Sequence, residues 1–134
     1  MRVSNSGVAA LLIPLESENL EAAFNYLQRE DKVYLGCGAK IERAARLSIK
    51  HVYFKAKGES SACAIADFIS LETENPSHNR LPGNENLLAR YYYGFKNLRR
   101  ILPTVALTDF KYYRTGKQLR NDVPGACIVQ ELGS

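Results

Sequence analysis

Residues 8–13, Val-Ala-Ala-Leu-Leu-Ile, run on past Pro14 to Leu15 without a charged side chain, and this is the longest apolar run of the chain. It is far shorter than the roughly 20 residues that a membrane-spanning helix needs. Continuous apolarity over such a length fits a β-strand covered on both faces better than a half-exposed one, which would alternate. A strand of that kind has to lie inside a sheet, so the rest of the chain is expected to supply neighbours at its edges and cover for both its faces.

The segments that follow are read in that light. Residues 17–29 have the helical period, with Leu20, Ala23, Phe24 and Leu27 on one stripe, Ser17 in place to cap and Glu18 and Glu21 in the first turn. Residues 32–37 read as a strand, and Gly36 and Gly38 suggest a turn or a close approach by another group. Residues 39–47 read as a short helix. Residues 50–57 and 62–73 form a hairpin around the turn at 58–61, and slipping periodicity in the second arm implies a bulge. Two prolines, a glycine and four asparagines make residues 75–86 an exposed loop. Its length is of the kind that carries function. A helix is expected next, capped by Asn84 or Asn86, containing Leu87, Leu88, Tyr91, Tyr92 and Phe95 and stopping near Gly94. Strands over residues 104–113 and 125–131 close the chain, separated by a basic turn at 114–120.

The 134 residues, 46% hydrophobic and 24% charged, suit one domain spanning 1–134. Strands outnumber helices and are joined mostly by short turns. The expected architecture is therefore α+β, a small curled mixed or antiparallel β-barrel with flanking helices. Polar Ser4, Asn5 and Ser6 lead directly into the first strand, unlike a secretory signal, so a cytoplasmic location is expected. Cys37, Cys63 and Cys127 are odd in number and widely spaced, and His51 and His78 stand apart. No disulfide framework, metal site or cofactor is implied.

Charge is unevenly distributed. Residues 90–120 hold eight basic side chains against Asp109 alone, in a chain whose net charge is only +4. Such segregation points to a polyanionic partner. Arg90, Lys96, Arg99, Arg100, Lys111, Arg114, Lys117 and Arg120 can neutralise phosphates, and the interleaved tyrosines offer faces on which bases stack. Lys55 and Lys57, with Ser60 and Ser61 at the hairpin turn, can add phosphate contacts. Tyr34, Tyr53, Tyr92 and Tyr112 are the candidates for stacking on one base in a pocket beside the barrel. Cys37 has no local histidine to activate it as a nucleophile.

Two stretches carry a resemblance: His51-Val-Tyr-Phe-Lys-Ala-Lys-Gly58 with Ala62-Cys-Ala-Ile-Ala-Asp-Phe-Ile-Ser70, and Leu102-Pro-Thr-Val-Ala-Leu-Thr-Asp-Phe-Lys111. They resemble the middle hairpin and a later strand of the PUA-like superfamily, particularly its ASCH and EVE branches. The resemblance implies a small barrel with flanking helices that binds RNA, or modified bases in RNA or DNA. The chain has no tryptophan for an aromatic cage, and Arg29-Glu-Asp-Lys32 replaces the Gly-Lys-Lys-like turn of the ASCH pattern. The same resemblance implies a rival, an amidohydrolase of modified nucleosides, for which Lys32, Tyr34 or Ser48, and Glu72 or Glu74 are the nearest residues. A third reading is a protein-interaction module using the long loop and the acidic first helix.

Overall fold

The computed structural model describes residues 8–38, 41, 44 and 47–132. The apolar run forms β1 (Ala9–Leu15) and α1 (Ser17–Tyr26) follows it. The other strands are β2 (Val33–Cys37), β3 (His51–Ala56), β4 (Ser61–Glu72), β5 (Tyr91–Ala106) and β6 (Cys127–Gln130). They make one mixed sheet in the order β2-β5-β4-β3-β1-β6, curled into a half barrel. The pair β1 and β3 is parallel, and every other pair is antiparallel. Among the described residues no helix is long and apolar enough to cross a membrane.

β1 is interior, between β3 and β6, as its composition requires. Its side chains alternate between two apolar clusters. Leu11 and Ile13 join Leu20 and Ala23 of α1 and Val52, Phe54, Tyr93 and Phe95 of the sheet. Ala10 and Leu12 face the other way, onto Tyr53, Phe110, Leu119 and Val129. Pro14 pairs with Lys55 of β3 beyond the last residue matched to β6, so its missing N–H interrupts no ladder on the β6 side. The hairpin of β3 and β4 is as expected, with Gly58 at φ +88° in its turn. Its irregularity is real: β4 shifts register against β5 at three places.

Several expectations are corrected. Ser17 does not cap α1: Glu16 is the N-cap, and no side chain bonds the free N–H groups there. Most of the expected short helix at 39–47 lies outside the described residues, although Ile41 and Ala44 are buried. The largest correction is the expected second helix, which is instead the start of β5. The apolar residues at 87–95 match a helical period only if Leu87 and Leu88 belong to the core, and they are 58% and 86% exposed. Tyr91 to Phe95 is in fact a strand flanked by β2 and β4 and buried on both faces, and tyrosine and phenylalanine favour that setting. Of the strand expected over residues 104–113, only the first residues belong to β5; a 3-10 turn at Leu107–Asp109 ends it.

Gly94 is therefore a packing residue in β5, not a helix stop. A Cβ there would lie 2.5 Å from Cε2 of Tyr34, whose ring crosses the strand at that point. Replacing Gly94 with Ala is expected to destabilise the protein by about 1–3 kcal/mol through overpacking. The same change in a Tyr34→Ala background should cost much less. Urea denaturation of the four proteins in the double-mutant cycle measures this, and equal costs in both backgrounds would contradict the close approach.

Candidate functional site

The basic turn is built on a short strap across the second face of β1. Phe110 and Leu119 are buried, and Leu119 N donates to Phe110 O at 2.9 Å. Between them Lys111 bridges Gln118 and Tyr112 bridges Val129 of β6. Gly116 takes the φ of +72° needed to reverse the chain, and its N–H donates to Tyr112 O at 2.9 Å. Gln130 N donates to Lys111 O at 2.9 Å, and Gln118 Nε2 to Thr108 O at 2.6 Å. The loop is thus held at both ends. It leaves Lys111, Arg114, Lys117 and Arg120 exposed, with no acidic residue between them. Among the described residues the first three make no salt bridge, and Arg120 meets only Asp122 at 3.7 Å, both more than 79% exposed. A pair so exposed holds little energy and does not cancel the local field.

The other expected cations are differently placed. Lys96, Arg99 and Arg100 lie in β5 past its buried half. Arg99 donates to Asp67 at 3.2 Å and to Asn97 O at 2.6 Å, and Arg100 donates to Glu21 of α1 at 2.6 Å while stacking 4.3 Å from the Phe24 ring centre. Each thus has an acidic partner within the molecule. Lys57 faces Glu16 at 3.4 Å, and Arg90 is exposed just before β5. Lys55 is 3% exposed, with Nζ donating to Val123 O at 3.4 Å, and it lines a cleft of about 290 Å³ together with Lys57.

A polar chain runs from Arg99 of β5 to Glu131, just after β6. Asp67 takes Asn97 Nδ2 at 2.8 Å as well as Arg99, and its Oδ1 lies 3.8 Å from His51 Nε2. His51 Nδ1 lies 3.0 Å from Glu131, whose other oxygen accepts from Tyr53 Oη at 2.5 Å. The Asn97 side chain, which donates to Asp67, is the main reason that its carboxyl titrates below the usual range; partial burial opposes this and Arg99 adds to it. Asn97 reaches Asp67 from a left-handed conformation, φ +54°, at a register shift between β4 and β5.

Of the four stacking candidates, two have no free face. Tyr53 is buried against Phe110, and Tyr92 is buried with its hydroxyl accepting from Ala89 N at 2.7 Å. Tyr34 is half-buried over Gly94, its hydroxyl 3.4 Å from Ser70 Oγ. Tyr112, half-buried at the base of the basic turn, is the one that lies beside several exposed cations. Three clefts, of about 280, 340 and 290 Å³, are lined by no tyrosine. The first two share Leu15, Asn19 and Gly36 to Gly38, making one groove past the ends of β1 and β2. The second also takes in Arg80, which lies in the loop singled out by its length but was not itself an expected site residue.

The residues of the rival amidohydrolase reading are not brought together. Lys32 precedes Val33, which is opposite Phe95, whereas Glu72 is opposite Tyr92, three residues or about 10 Å further along β5. Ser48 and Glu74 are exposed outside the sheet. Burial pushes the Cys127 thiol up to about 11, which leaves it a poor nucleophile.

Burial raises the Tyr53 phenol, with Glu131 adding to the shift, and burial raises the Tyr93 phenol as well. A phenol whose folded-state pKa is raised contributes stability that is intact below the ordinary tyrosine value of about 10 and is lost as pH rises above it. In a phenolate-absorbance titration, Tyr53 and Tyr93 are expected to ionise only as the protein unfolds. Ionisation of all eight tyrosines near pH 10 with the fold intact would contradict their burial.

No protein-family model matches this chain, and no curated protein does either.

Proposed function

We propose that this chain is a nucleic-acid-binding domain of PUA-like type, which holds a single strand of RNA or DNA, with or without a modified base, against the basic turn. The observation that carries the reading is the group of Lys111, Arg114 and Lys117, exposed and without salt bridges among the described residues, on a strapped turn with Tyr112 at its base. The backbone of the turn is tied down by hydrogen bonds, so binding has to order the exposed side chains but not the loop that carries them. Phosphates set the position of a strand on such a turn, and an unpaired base can then lie on the accessible part of the Tyr112 ring. The mixed, curled α+β sheet is compatible with the PUA-like resemblance. Arg99 and Arg100 enter this reading as supports of the surface, since their charge is already answered by Asp67 and Glu21.

Binding is expected to weaken steeply with salt, by counterion release. Replacing Lys111, Arg114 and Lys117 together with Ala should reduce the slope of log K against log salt by roughly 2 for a single strand. Fluorescence anisotropy with a labelled oligonucleotide measures this, and an unchanged slope would place the contact elsewhere.

Tyr112→Ala should weaken binding by roughly 5- to 150-fold, the effect of removing one stacking platform of about 1–3 kcal/mol. Tyr53→Phe, which keeps a buried ring, should leave it unchanged. The same titration separates the two, and equal effects from both substitutions would argue that the loss comes from the fold and not from stacking.

A further inference from the structure

Arg80 is 6% exposed, a degree of burial that arginine rarely reaches without a charged partner. Its neighbours answer only part of its charge. Nη1 donates to the neutral Asn75 Oδ1, the guanidinium carbon sits 4.9 Å from the Tyr92 ring centre, and buried Nε has no hydrogen-bond partner. Among the described residues none of the ion pairs includes it. The position is nevertheless held by the backbone: Arg80 bridges Tyr34 of β2, Asn79 O accepts from Tyr34 N at 2.7 Å, and Leu81 is buried beside it. A desolvated cation held in place without an anion is costly, and an anionic ligand would relieve that cost.

Arg80 lines the cleft of about 340 Å³ between the end of β2 and the loop before β5. Among the described residues no carboxylate lines this cleft. Asn19 and Asn84 contribute amides, which can both donate and accept, while Leu35, Leu87 and Leu88 make an apolar wall whose outer part is open to solvent. The volume is at the low end for small-molecule sites, enough for one nucleotide unit. An oxyanion, a flat apolar body and a polar edge are together the chemistry of a nucleotide. Resting on the nucleic-acid reading, we infer that this cleft binds a nucleoside monophosphate, free or at the end of a strand, with its phosphate on Arg80.

The test is ligand-induced thermal stabilisation and binding with inorganic phosphate, a nucleoside, its monophosphate, and single strands with and without a terminal phosphate. The proteins are the parent, Arg80→Met and Leu88→Glu. Arg80→Met keeps a long apolar stem and removes the buried charge, and Leu88→Glu changes a side chain that is 86% exposed, so its fold should not depend on Leu88. The monophosphate should raise the melting temperature of the parent and bind roughly 10- to 150-fold more weakly to Arg80→Met, as expected for loss of a charged hydrogen bond. Leu88→Glu should also weaken it, by placing negative charge at the lip. Preference for a strand with a terminal phosphate over one without assigns the source to strand ends, and a response to the free monophosphate alone assigns it to free nucleotides. Equal binding of nucleoside and monophosphate, or monophosphate binding undiminished in Arg80→Met, overturns the inference. No response of the parent to the monophosphate, with strand binding that persists in Arg80→Met, also overturns it while leaving the basic-turn reading intact. Monophosphate binding without any strand binding supports the cleft and ends that reading.

Discussion

The structure depends on the burial of β1 on every side. A strand without polar side chains needs hydrogen-bonding partners along both edges and apolar cover on both faces, because an unpaired peptide group in such surroundings is costly. β3 and β6 supply the edges. α1 covers the face of Leu11 and Ile13, and the chain beyond β5 returns to cover the face of Ala10 and Leu12 through Phe110, Leu119 and Val123. The candidate interface is a consequence of that return: the strap that buries Phe110 and Leu119 has to turn back between them, and the residues at the turn are basic.

Electrostatics divides the cations into two kinds. On β5, Arg99 and Arg100 meet Asp67 and Glu21 around the irregular part of the sheet, while Lys96 is exposed and makes no salt bridge among the described residues. Lys111, Arg114 and Lys117 on the strap likewise make no salt bridge among the described residues, and Arg120 makes only an exposed contact. The chain of Arg99, Asp67, His51, Glu131 and Tyr53 ties β5, β4 and β3 to the segment just after β6. Arg80 is a third case, a cation taken out of water by the backbone position of its loop.

Much of the fold was legible because its signals were local. The apolar run of β1, the stripe on α1, and the β3–β4 hairpin with glycine at its turn each declare themselves within a dozen residues. The start of β5 did not. Its tyrosines and Phe95 are compatible with a helix as well as with a doubly buried strand, and periodicity alone cannot separate the two. What separates them is the presence of β2 and β4 on either side, together with Gly94, which makes room for a ring sixty residues earlier in the chain. The aromatic pocket expected from Tyr34, Tyr53, Tyr92 and Tyr112 was illegible for a related reason. A tyrosine's suitability for core or surface is equal in the sequence, and the four went to different environments.

By itself, the sequence determined that the chain would form a mainly β domain around one buried strand, and that its positive charge would concentrate late in the chain. Both follow from composition in short windows, where the hydrophobic effect and charge density act directly. Only the tertiary structure decided which charges remain available. Whether Arg99 meets Asp67, Arg100 meets Glu21, Lys55 is buried, or Arg80 is left unanswered in a cleft depends on residues distant in sequence being brought within a few ångströms. Coulomb and desolvation energies vary steeply over that distance, so they are settled by packing and cannot be read from residue type.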